Sequence, residues 1–129
     1  MFGWLRGKKP EPKRVAPLAT FDGVIASFER QASEIRKSAA TLLALRASLS
    51  ADLARDAQRR AGLESRLAEA QQQKDALLES TFLRDIRDTT RRQAETEAAL
   101  ETAKNDAQLL IEAAERVQAT LSELKTERA

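Results

Sequence analysis

The sequence predicts an all-α protein: a long antiparallel helical hairpin of coiled-coil type behind a flexible N-terminal tail. Three observations predict it. The first is composition. Among 129 residues there are 4 Gly and 3 Pro, aromatics make up 4% and charged residues 33%, so helix breakers are scarce and large side chains for a rounded core are few. The second is residues 100–124, where Leu100, Ala103, Ala107, Leu110, Ala114, Val117, Leu121 and Leu124 follow one another in unbroken steps of three and four. On a helix this spacing places all of them on one seam. The third is an earlier series of the same kind, from Phe28 through Ala32, Ile35 and Ala39 to Leu42. A narrow apolar stripe cannot bury itself, and here the chain carries two of them.

The chain supplies material for one domain and divides into a tail, residues 1–17, and a helical region, residues 18–129. The tail reads MFGWLRGKKPEPKRVAP and holds all three prolines. Pro10, Pro12 and Pro17 oppose a continuous helix and favour extended backbone. The tip contains Phe2, Trp4 and Leu5, and Arg6, Lys8, Lys9, Lys13 and Arg14 follow it against a single acid, Glu11. The formal net charge is +2, yet the excess sits in the tail and the remainder is slightly acidic. The pI of about 9.2 is therefore a property of the tail. An apolar tip beside a basic cluster suits either insertion into an anionic membrane interface or docking into a partner protein. Each basic residue near an anionic surface adds roughly 1 kcal/mol, so one tail binds reversibly and several bind firmly.

The first helix is expected over about residues 20–74, with Thr20 and Asp22 as candidate N-caps. Its seam runs through Phe28, Ile35, Leu42, Leu49 and Leu53, with a slip of phase near Arg46 of the kind a stutter produces. The seam turns polar between Asp56 and Arg60, Gly62 offers a kink, and Leu63, Leu67 and Ala70 resume the stripe. The second helix is expected over about residues 80–127, its seam passing Thr89, Gln93 and Thr96 before Leu100, Leu110, Val117, Leu121 and Leu124. Acid-before-base pairs four residues apart, Asp56 with Arg60, Asp88 with Arg92 and Glu112 with Arg116, support helix on the solvent faces.

Two architectures fit these helices. A single continuous helix of about 105 residues, on the order of 155 Å long, would pair with a second copy in parallel. The scarcity of turn residues favours that rod, since only Asp75 and the Ser80–Thr81 pair offer a cap near the middle. The hairpin is favoured by matching. With a bend near residue 76, Phe28 faces Leu124, Ile35 faces Val117, Leu42 faces Leu110 and Leu53 falls beside Leu100. The polar interval from Asp56 to Arg60 meets Gln93 and Thr96. Strong seams oppose strong seams, which a parallel rod does not require, and the hairpin is the architecture expected. A lone two-helix hairpin buries little apolar area, so a homo-oligomer is expected too. Leu43, Leu45, Leu78, Leu83, Leu109 and Ile111, off the main stripe, are the candidates for that second interface.

The chain has no Cys, His or Tyr. Thiolate chemistry, the commonest general base near neutral pH and the commonest transition-metal ligand are thereby missing. No catalytic constellation, cofactor or metal is expected, and no enzyme activity. No apolar run approaches the roughly 20 residues that a spanning helix needs. The expected role is a structural or scaffold protein, cytoplasmic or peripheral on the inner membrane face, attached through its tail to a membrane surface or a larger protein assembly. A helical adaptor or chaperone of a secretion, flagellar or phage machine is the alternative, and a nucleic-acid-associated helical protein is a weaker one. A short amphipathic start followed by a long helical hairpin is similar in outline to the phage-shock and ESCRT-III-like membrane-remodelling proteins, a likeness of arrangement that carries over no residue role.

Overall fold

The computed structural model describes residues 17–128, with side chains from Thr20 onward. That region is two helices, α1 (Pro17–Gln72) and α2 (Ala76–Arg128), joined by a turn over residues 73–75. They lie against each other as an antiparallel hairpin, a rod on the order of 80 Å long at 1.5 Å per residue. Helix α1 starts at Pro17, slightly ahead of the expected entry, because the missing N–H of proline costs nothing in a first helical turn. Gly62, exposed, sits within α1 without interrupting it.

The turn is shorter and earlier than the sequence predicts. Helix α1 ends at Gln72 instead of residue 74, and α2 begins at Ala76 instead of residue 80. Lys74 is the one non-glycine residue with positive φ among those described, at 53°. The Asp75 N–H donates to the Ala70 carbonyl at 3.0 Å and the Lys74 N–H to the Gln71 carbonyl at 3.2 Å. This nested pair is the Schellman closure of a helix C-terminus, formed here on lysine where glycine is usual. Asp75 at once opens α2: its Oδ1 accepts from the Leu78 N–H at 3.1 Å, an N-cap that answers an orphan donor of the first turn. Ser80 and Thr81 lie inside the helix, where the Thr81 hydroxyl donates to the Leu77 carbonyl at 3.0 Å. The bend therefore centres on Lys74 and not on residue 76.

Because an L-residue in the left-handed region carries a penalty that glycine lacks, Lys74→Gly is expected to stabilise the hairpin by about 1 kcal/mol. A urea midpoint that stays put or falls would show the strain to be absorbed elsewhere.

The core is concentrated towards the open end. Ile25, Ala32 and Leu121 are buried together, with Phe21, Phe28, Val117 and Leu124 packed on them. Ile35, Ala39 and Leu110 form the next layer, flanked by Leu42, Ile111, Ala113, Ala114 and Val117. The expected pairs Phe28 with Leu124, Ile35 with Val117 and Leu42 with Leu110 thus each share a cluster. Leu49, Leu53 and Leu100 are half-buried, and the seam skips both Leu45 and Arg46, which are exposed. Ile111 is half-buried and packs on the second layer, whereas the other off-stripe candidates, all leucines, are exposed.

Ion pairs fix the register differently from expectation. Asp56 does not turn to Arg60 but crosses the hairpin to Arg92, Oδ2 to Nε 3.4 Å, and its side chain is only 15% exposed. Arg60 pairs with Glu64 at 3.0 Å, Asp88 with Arg91 at 3.7 Å, and Glu112 accepts from Gln108 at 3.4 Å. At the open end Glu29 faces Lys125 at 3.8 Å and Asp22 faces Arg128 at 2.7 Å. All three cross-helix pairs put the acid on α1 and the base on α2. Each exposed pair contributes a fraction of a kcal/mol, but a one-turn slip would break all of them at once.

Candidate functional site

Two grooves run between the helices. The first is polar and lies where the seam gives out. Asp52, Arg55, Asp56, Arg59, Arg92 and Thr96 line it, with Arg55 bonded to Asp52 and Arg92 to Asp56. Both of its aspartates are thus paired with arginines, so it offers a ligand no cluster of acidic groups. Nearby, Thr89 is 1% exposed, and its hydroxyl donates to the Asp85 carbonyl at 2.8 Å, which settles the one buried polar side chain of the seam.

The second groove is apolar. Ala39, Ala40 and Ala114 line it, together with Leu43 from α1 and Ile111 from α2. Arg36 on α1 and Glu115 on α2 stand at its rims. The alanines follow from the seam itself: Ala39 and Ala114 belong to the apolar ladders, and small residues there let the backbones approach and leave a trough along the flank. Leu43 remains 43% exposed in it.

Elsewhere the hairpin leaves Leu45, Leu77, Leu78, Leu83 and Leu109 exposed, Leu77 at 79%. Leu77 and Leu78 sit in the first turn of α2, beside the bend. Among the described residues no three of His, Cys, Asp and Glu gather to hold a metal ion, and no helix is long and apolar enough to cross a membrane.

The attachment residues read from the sequence, Phe2, Trp4, Leu5, Arg6, Lys8, Lys9, Lys13 and Arg14, lie outside the described residues. The seam residues Phe28, Ile35, Leu42, Leu49, Leu53, Leu100, Leu110, Val117, Leu121 and Leu124 are all buried or half-buried between the helices. The apolar groove was not foreseen. Its signal was present, however, in the placement of Ala40 and Leu43 beside the main stripe. No known protein family, curated protein or solved structure matches the chain.

Proposed function

We infer that the chain is a non-enzymatic, oligomeric helical scaffold, attached through its N-terminal tail to an anionic membrane surface or to a larger assembly. The observation that carries this reading is the apolar surface that the hairpin leaves in water at Leu43, Leu45, Leu83 and Leu109. Such a body suits spacing and association better than chemistry. The tail precedes α1, whose first residue, Pro17, lies at the open end of the rod. Attachment is peripheral in this reading.

Vesicle co-sedimentation tests it. The full chain is expected to bind vesicles containing anionic lipid, and Trp4→Ala with Leu5→Ala is expected to weaken that binding by about tenfold or more, the loss of two interfacial anchors. Binding should fall as salt rises, since it draws on the basic cluster. Binding that survives the double change would sink the insertion idea. Binding indifferent to salt would remove the basic residues from it. The exposed Leu77 and Leu78 at the tip favour one second reading, a helical adaptor that holds a partner protein at the bend. In that case Leu77→Lys would abolish partner capture while vesicle binding stayed absent throughout.

A further inference from the structure

We propose that the apolar groove between Arg36 and Leu43 on α1 and Ile111 and Gln118 on α2 seats a second copy of this chain, the two hairpins closing into a four-helix bundle. The inference deepens the scaffold reading and rests on its oligomeric half.

The thinness of the core argues for a second copy. Among the described residues, five of the ten buried hydrophobics are alanines, and Ile35 and Thr89 are the largest side chains fully buried. Two helices of 56 and 53 residues are ordered over that core. A pair of long helices gains little burial for the backbone entropy it gives up, and natural two-helix units remedy this by association. The groove is where added burial is available. Its alanine lining admits a close neighbour, and Leu43 stands unburied in it. Along α1 that lining is prolonged towards the turn by Ala44, Ala47, Ala51 and Ala54, all exposed and in steps of three and four from Ala40.

Charge selects the orientation. Arg36 and Glu115 border the same stretch of groove from opposite helices. Turning a second hairpin by half a rotation about the long axis of the rod lays its α2 over this α1. Each Arg36 then faces the second copy's Glu115, and the pairing occurs twice by symmetry. Leu43 of each copy comes over Ile111 of the other. A rotation about the short axis crossing the groove at this level would instead set Arg36 on Arg36 and Glu115 on Glu115. In the favoured arrangement every helix has antiparallel neighbours, the usual disposition of a bundle.

Sedimentation equilibrium of the full chain, with helicity followed by circular dichroism, is the test. The wild type is expected at twice its chain mass of 14.3 kDa. Leu43→Lys and Arg36→Glu, both at exposed positions, are each expected to weaken the dimer by about tenfold or more with helicity retained. The double change Arg36→Glu with Glu115→Arg is expected to recover it to within about threefold, because the reversed pair is again complementary. A monomeric wild type would overturn the proposal. So would a dimer untouched by both single changes, which would place the contact elsewhere, or a double change no better than the singles. Loss of vesicle binding in the Trp4 and Leu5 variant with dimerisation intact bears only on the attachment and leaves this surface standing.

Discussion

Ile35→Ala is expected to lower the unfolding free energy by about 3 kcal/mol, the largest single effect among conservative truncations of this chain. Ile35 is 1% exposed and belongs to a layer with Ala39 and Leu110. Its neighbours on the layer include Ala39, Ala113 and Ala114, whose short side chains cannot reach into the space left behind. Urea unfolding followed by circular dichroism, at one fixed protein concentration, gives the number. Fixing the concentration matters because association raises apparent stability by mass action. Leu45→Ala is the control: Leu45 is 46% exposed, and its truncation is expected to cost less than about 1 kcal/mol. An Ile35 effect no larger than the control would mean that the seam is not what holds the helices together.

Ala32→Leu is expected to destabilise by about 1–3 kcal/mol, although it adds apolar surface and both residues are good helix formers. Ala32 is 0% exposed and lies between Ile25 and Leu121. A leucine there has no unoccupied volume to enter and must push the helices apart or leave its preferred rotamer. The same urea experiment shows a lowered midpoint if the approach of the helices at Ala32 is as close as its burial indicates. A raised midpoint would reveal slack in the first core layer.

The fold was legible where large side chains recur at helical spacing. The ladder from Leu100 to Leu124 and the series from Phe28 to Leu42 are enough to put two helices side by side. Their antiparallel matching locates the bend to within two residues. What escaped has identifiable physical causes. The turn uses Lys74 in a conformation for which glycine is the expected marker, so the strongest stop signal was missing. Asp75 was visible as a cap, but nothing local ranked it above Ser80 and Thr81. The ion pairs were assigned along each helix because spacing within a helix can be read directly. Asp56 with Arg92 depends on register between helices, which sequence proximity does not encode. That Ile111 packs on the second layer was not legible from its place one residue from Leu110, because two helices in contact bury a band wider than one stripe. The groove escaped for the opposite reason: Ala40, Ala44 and Ala47 are too small to stand out as a pattern, and their meaning depends on which neighbours leave them uncovered.

The cross-helix layers have a mechanical consequence. Asp22 touches Arg128 at the open end, and the two apolar clusters follow in order towards the bend. Force that pulls the start of α1 away from the end of α2 loads these layers one at a time, first the Asp22 pair, then the layer of Ile25 and Leu121, then that of Ile35 and Leu110. The rod unzips under such a pull. Tension applied between the open end and the bend runs along the helix axes, where it is carried by each helix's own backbone hydrogen bonds and leaves the layers between the helices unpeeled. The hairpin is weak to peeling and strong to stretching, and a load at Lys74 meets it along its strong direction.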